Sequence, residues 1–592
     1  MAALVLCLLL CSSTPIFAQA DWSAKVLAQK DVDQKEVIVC VSGNNGVSTK
    51  TLAKLIARER HGPAVVSAAG QYFEKAEFDK ETPQVIRQIA KRPDIGSQAL
   101  AYAALSPKAA DLILGFASSK SSADQQIAAR MLAATSAMRL NSERPGQHPA
   151  EKVAGAPNNR LHVNYKVQVE HLLKNTKDKV TLEYLLLSVG TDRLVAVADA
   201  IGPHAKNKEQ AVALAAQYAL AGTGQPIDEE LVLKAIARQP KRAKAKPALS
   251  YDLRQTPRLY AIRAAGEARL KSAYNPLLKL VTDQDLHTAV YSTRALSRIG
   301  GEGLPIKLIE AMDEETPWPV RVAIYNAAGF NPDKTAVKLL RQRYNEETGR
   351  FRQDALYALL CIVAGQPDGL TIEAFDEWWA LNGEGFEVDV KASRQWRGQN
   401  KIWKVQIAPI AGFYESAVIS DRPVFSVDAS KSMEGAQIES LKQTLNEVVD
   451  SFPTRVKFNI VDFGGHCRTL APGGMIPAKN RKAAMQQFTY DMELTFGTRT
   501  YDAIERAMDI PGMDTVHFLS DGSPYGSHIK NWSRIEYATR LYCSTAPVAV
   551  HIIYFPNPGQ KVNAGGITAL MKRYAHANAG NFHVIQVQAP NN

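Results

Sequence analysis

The sequence predicts a multi-domain chain: an all-α solenoid of helical hairpins followed by a doubly wound α/β domain. Three observations carry this. The chain has 592 residues, too many for one hydrophobic core. Its middle repeats an alanine-rich helical pattern at steps of 31 or 32 residues. Its C-terminal part alternates short apolar strands with amphipathic helices.

Residues 1–20, "MAALVLCLLLCSSTPIFAQA", hold no charged side chain. An apolar stretch from Ala3 to Leu10 leads to Pro15 and then Ala18-Gln19-Ala20. That stretch is too short to span a bilayer, and A-x-A is a cleavage signal. We expect a signal peptide cut after Ala20, and hence a secreted or periplasmic protein. A lipid on Cys11 is not expected, because Leu10 stands where such signals want a small residue. No later stretch reaches spanning length, so no transmembrane segment is expected in the mature chain.

After cleavage Cys40, Cys361, Cys467 and Cys543 remain, with no C-x-x-C and no metal spacing. Their pairing stays open, and free buried thiols are the default expectation. Apolar residues make up 46% and charged residues 22%, an ordinary globular balance. The net charge of +11 is mild over this length and does not demand a polyanion as partner.

Residues 21–81 receive no assignment. "EVIVCVSGNNGVSTKTLAKLIARER" suggests strand, loop and helix, but Thr49 and not glycine stands directly before Lys50, so the phosphate-cradling G-x-x-x-x-G-K-[ST] loop is absent.

Residues 82–385 read as helix after helix. "AIRAAG" (Ala261–Gly266), "STRALS" (Ser292–Ser297), "IYNAAG" (Ile324–Gly329) and "LYALLC" (Leu356–Cys361) mark the repeat. Such a period implies one helical hairpin per unit, stacked so that neighbours cover each apolar face. The pattern resembles short HEAT-type repeats, which implies an architecture and no chemistry. Two polar stretches interrupt it. Ser142–Asn159 is rich in Pro and Gly, and Lys234–Ser250 carries six basic residues and no acidic one. The second reads as a solvated loop or as a polyanion contact. Residues 386–420 read as a β-rich linker.

Residues 421–592 form the α/β part. Strands are expected at Val424–Val427, Val456–Val461, Thr515–Leu519, Val548–Tyr554 and Phe582–Ile585. Helices are expected at Gln437–Val449, Arg481–Met492, Thr500–Met508, Ser533–Leu541 and Ile567–Ala577. Ligands of such sheets bind outside the carboxyl ends of the strands.

Three clusters fall at such ends: Asp428-x-Ser430-x-Ser432, Thr498 in "FGTRTYDA", and Asp521 in "FLSDG". Each could be a helix cap, since Asp, Ser and Thr are preferred there. Together they offer two carboxylates and three hydroxyls, without His or Cys. An all-oxygen set with few carboxylates suits Mg²⁺ or Mn²⁺. We expect Ser430 and Ser432 to bind the ion directly. Asp428 and Asp521 would hold bound waters and orient hydroxyls, and Thr498 would join when the site is filled. Five groups need not fill an octahedron, so a carboxylate from a partner can take the open place. Lys431 and Arg499, inside these loops, either draw an acidic ligand to the rim or point into solvent.

Val424–Met433, Gly497–Ala503 and Phe518–Gly522 together resemble the von Willebrand factor type A domain with its metal-ion-dependent adhesion site. That site uses Asp-x-Ser-x-Ser, a later Thr and a later Asp. "LMKRYAHANAGNFHVI" looks like the family's last helix and strand. The resemblance covers about 420–590. It implies a metal set of Asp428, Ser430, Ser432, Thr498 and Asp521, a Mg²⁺ cofactor, and a protein ligand with an acidic residue. Phe496 stands where the family often has glycine.

No G-x-S-x-G elbow and no H-E-x-x-H occurs, and the residue two beyond Asp428 is Ser430, not a second acid. His517 and His551 fall within expected strands, where a core role is the default. An enzyme is therefore not expected, with a Mg²⁺-dependent hydrolase as one alternative. A second alternative is RNA binding, because helical repeats followed by a type A domain are similar in layout to the Ro ribonucleoprotein. Export argues against nucleic acid. The expected role is a binding or assembly scaffold of the cell envelope or exterior. The sequence does not name its ligand or oligomeric state.

Overall fold

A computed structural model describes residues 48–58, 62–75, 82–92, 95–106, 109–138, 160–238, 250–251, 253–522, 524, 526–556 and 566–585. The expected signal peptide, Cys40, the Ser142–Asn159 stretch and most of Lys234–Ser250 lie outside the described residues.

Seven long helices lie side by side in chain order: Ser122–Met138, Lys179–Asp192, Gln210–Gly222, Pro257–Glu267, Leu286–Ile299, Trp318–Phe330 and Arg350–Ile362. The four repeated hexapeptides all fall in the last four of these. Shorter helices alternate with them, among them Leu304–Glu310 and Val337–Glu346. The sequence sets the helix starts. Asp285 accepts the Thr288 amide at 2.9 Å, and Thr256 accepts that of Leu259 ahead of Pro257.

Small residues set the spacing. A Cβ on Gly266 would lie 2.8 Å from the Ala295 Cα and 2.9 Å from its Cβ, so these two helices touch almost backbone to backbone. Among the described residues no single helix is long and apolar enough to cross a membrane.

The segment 386–420 is not simply β-rich. It contains a helix, Val390–Gln399, started by the Asp389 cap, and then one hairpin, β1 (Ala411–Phe413) with β2 (Ser416–Val418). Alternation in "KIWKVQIAPIAGFYESAVIS" reported extended chain, only part of which pairs.

The main sheet comprises β3 (Pro423–Asp428), β4 (Lys457–Phe463), β5 (Cys467–Thr469), β6 (Ile476–Pro477), β7 (Thr515–Ser520), β8 (Ala549–Tyr554) and β9 (Phe582–Val584). Its order is β5-β4-β3-β7-β8-β9, with β6 also on β4. The central five strands run parallel, and the short β5 and β6 add an antiparallel edge that periodicity did not reveal. The helices Ala436–Asp450, Arg481–Tyr490, Thr500–Met508, Trp532–Tyr542 and Ile567–Ala577 match those expected to within two residues at each end.

Alternate strand residues feed two cores. Phe425, Val427, Phe458 and Ile460 face one side with Leu441, Leu445 and Phe488. Val424, Val461, Val516, Phe518 and Val550 face the other, in a cluster continuous with the helical layer. Both surfaces being covered explains why β3 reads as an unbroken buried run. Polar contacts pin the layers: Arg350 donates to the Asp514 carbonyl at 2.8 Å, and Arg294 to that of Ser544 at 2.9 Å.

Cys361, Cys467 and Cys543 are free thiols.

Two outcomes follow from this packing. Gly266→Val overfills the Ala295 contact and is expected to cost about 1–3 kcal/mol in urea unfolding. Asp354 is fully buried; burial pushes its carboxyl up to about 7, outweighing Arg350 at 3.7 Å. The native state then holds the proton that the unfolded chain releases near 3.8, so stability falls as pH rises from there to about 7. Asp354→Asn should flatten that fall in urea melts between pH 4 and 8.

Candidate metal centre

β3 and β7 are adjacent and parallel, and the chain runs outward from β3 in opposite directions to β4 and to β7. Their carboxyl ends therefore border the crevice where strand order reverses. Asp428 is the last residue of β3, and Asp521 follows the last residue of β7.

Asp428 is wholly buried, and its Oδ1 accepts the Ser430 amide at 2.8 Å. This local bond turns the chain so that the Ser430 and Ser432 hydroxyls meet at 2.9 Å. A short 3₁₀ turn, Lys431–Met433, follows. Val427 pairs with Leu519 across the sheet, so Ser520 falls opposite Asp428 and donates to its Oδ2 at 2.9 Å.

Asp521 is the second carboxylate. Burial first, and the Asp521 charge second, push the Asp428 carboxyl up to about 7. Two carboxylates out of water oppose each other's ionisation, and a cation between them removes the conflict.

Thr498 arrives from the loop before the helix Thr500–Met508. Gly497 turns there at φ +99°, and Thr495 upstream bridges to Ser430 and accepts the Lys431 amide at 2.9 Å. Thr498 itself is buried and bridges to Gly526. Ser432 is exposed, whereas Asp428, Ser430, Thr498 and Asp521 are buried. The cluster therefore opens to solvent on the Ser432 side.

The donor set fits a hard divalent ion. It is all oxygen, it includes two mutually repelling carboxylates, and it has one open side. Among the described residues no group of three or more His, Cys, Asp or Glu side chains could hold a metal ion; this cluster has two carboxylates and depends on hydroxyls for its other donors.

The structure joins Asp428, Ser430 and Ser432 by direct hydrogen bonds and Asp521 by charge. It places Thr498 on a loop paired to theirs. Two neighbours in the loops behave differently from expectation. Arg499 is buried, not at the rim, and its guanidinium pairs with Asp502. Burial alone would raise the Asp502 carboxyl, but Arg499 and His528 hold it well below the usual range. Lys431 is 44% exposed and pairs with Glu434 at 2.5 Å. Phe496, in the glycine's place, is exposed.

Two residues that the motif does not single out, Ser520 and Thr495, also support the cluster. Ser520 was legible in part, since it directly precedes Asp521 in "FLSDG". Thr495 reaches Ser430 and Lys431 through its backbone, and its hydroxyl accepts the Gly465 amide at 2.8 Å, all partners distant in sequence. His517 and His551 are buried and stack with ring centres 4.7 Å apart, and burial holds both below the ordinary histidine range.

A family model of the von Willebrand factor type A domain matches residues 423–546. No curated protein matches the chain. Among solved structures, an aerotolerance-related membrane protein from Bacteroides fragilis NCTC 9343, carrying multiple mutations to serine, is similar at 15% identity. The match covers 28% of this chain and 90% of that one, with a TM-score of 0.20. An engineered protein is similar at 17% identity over 66% of this chain and 95% of its own, with a TM-score of 0.27. The strand order, the helices and the family match agree: the C-terminal part of the chain is a von Willebrand factor type A domain, set behind a helical-repeat region.

Proposed function

We propose that the protein is an exported binding or assembly scaffold that takes Mg²⁺ or Mn²⁺ at Asp428, Ser430, Ser432, Thr498 and Asp521 and holds an acidic residue of a partner protein there. A type A domain supports a protein-interaction role. The observation that carries the finer reading is the buried Asp428 within reach of the Asp521 charge, with the Ser430 and Ser432 hydroxyls meeting in the loop that its carboxylate turns.

A bound divalent ion would supply a Lewis-acidic place for an incoming carboxylate. The chain's own residues do the rest. Ser520 and the Ser430 amide fix the Asp428 carboxylate in one orientation, so both hydroxyls are pre-aligned. The exposed Ser432 side leaves room for a guest. The helical region adds extended surface for the same or another partner.

Calorimetry on the full chain should show one Mg²⁺ or Mn²⁺ per molecule, and Asp428→Ala should abolish it. Absence of binding in the wild type, or unchanged binding in the variant, refutes the metal reading. Export is tested separately. Mature protein recovered from the periplasm or medium should begin at Asp21; an intact Met1 would refute it.

A further inference from the structure

The segment Gly526–His528 lies between the metal loop and the helical layer and touches both. On one side Gly526 bridges to Thr498, and the Ser527 hydroxyl accepts the Tyr501 amide at 2.8 Å. On the other side the Gln71 side-chain amide donates to the Ser527 carbonyl. Gly70 packs so tightly that a Cβ there would lie 2.5 Å from the His528 Cβ and 2.6 Å from its carbonyl oxygen. Gly70 and Gln71 belong to the helix Gly62–Lys75.

A second path runs through side chains. Arg499, next to Thr498, pairs with Asp502, and Asp502 pairs with His528. The other ring nitrogen of His528 lies 3.0 Å from the Tyr102 hydroxyl, on the helix Gly96–Leu105. That hydroxyl also reaches Glu505 at 3.0 Å, joined by Gln98 at 2.9 Å and by Tyr251. All of these groups are buried or half-buried. A buried polar network whose members are paired is stiff, because each group left alone would cost its desolvation.

We propose that Gln71 and Tyr102, with Gly70 setting the approach, are positioning residues for Thr498, so that the helical layer sets how tightly the type A domain holds its divalent ion. The proposal rests on the reading of Thr498 as a metal ligand. It adds that the helical region is part of the site's control and not only a spacer. A partner that displaced the helix Gly62–Lys75 would change ion affinity without touching the ion.

The test uses the full chain as wild type, Gly70→Ala, Gln71→Met and Gly266→Val. Gly266→Val perturbs the helical layer at the Ala295 contact, which includes no residue of the Gly526–His528 segment. Metal-free hydrogen exchange is followed for residues 497–503, which include the Tyr501 amide. Mn²⁺ affinity is measured by calorimetry. Both Gly70→Ala and Gln71→Met should speed exchange in this stretch and weaken Mn²⁺ about 10–100-fold, the usual effect of losing an outer-shell support. Gly266→Val should leave the exchange pattern of 497–503 and the affinity unchanged. Gln71→Met, close in size, keeps the test valid if Gly70→Ala does not fold. Unchanged affinity in both variants overturns the proposal, whether or not exchange quickens. An equal loss in Gly266→Val also overturns it, since the effect would then be general softening. A wild type that takes up no Mn²⁺ sinks the underlying metal reading; faster exchange in the variants would then still mark the mechanical link.

Discussion

Two carboxylates at the ends of neighbouring parallel strands are the constraint around which the C-terminal domain is organised. Asp428 sits in a wholly buried position with Asp521 close enough to oppose its ionisation. A sheet that only needed to fold would place apolar or singly charged residues there, as burying like charges opposes folding. The surrounding structure keeps the arrangement. The Ser430 amide and the Ser520 hydroxyl hold Asp428 from two sides, and it stays wholly buried at the end of the central strand β3. Such a locally unfavourable cluster, maintained by its neighbours, is the observation that supports the proposed cation site.

The rest of the molecule follows from how that point is supported. β3 is covered on both faces, by the Ala436–Asp450 side and by the core shared with the helical layer. The helical repeats are therefore not a separate arm. Their buried side chains continue into the side of the sheet that carries Phe518 and Val550. Close contacts such as Gly266 on Ala295 keep the repeat thin and regular, so that its helices can lie along the domain. Polar contacts then fix register between the layers, as at Arg350 with Asp514 and at Tyr102 with Glu505.

The parts legible from residues alone share one property: their signals are local. Asp-x-Ser-x-Ser could be read because one short loop carries the carboxylate and both hydroxyls. The five parallel strands could be read because each is a short apolar run bounded by turn residues. The repeat could be read because its period is fixed. What escaped depends on partners distant in sequence. Arg499 looks like a rim cation in "FGTRTYDA", yet Asp502 and the His528 segment draw it inward. Ser520 acts only because strand register sets it opposite Asp428. The antiparallel edge of β5 and β6 is too short to show a period. The Val390–Gln399 helix was hidden because the strand-like alternation after it dominated the reading of 386–420.

The most direct test of the central claim is an anomalous-diffraction map at the manganese edge, from crystals of the protein grown with Mn²⁺. One strong peak is expected at the carboxyl ends of β3 and β7, bounded by Asp428, Ser430, Ser432, Thr498 and Asp521. A map without a peak there, or with manganese held only elsewhere, would contradict that claim.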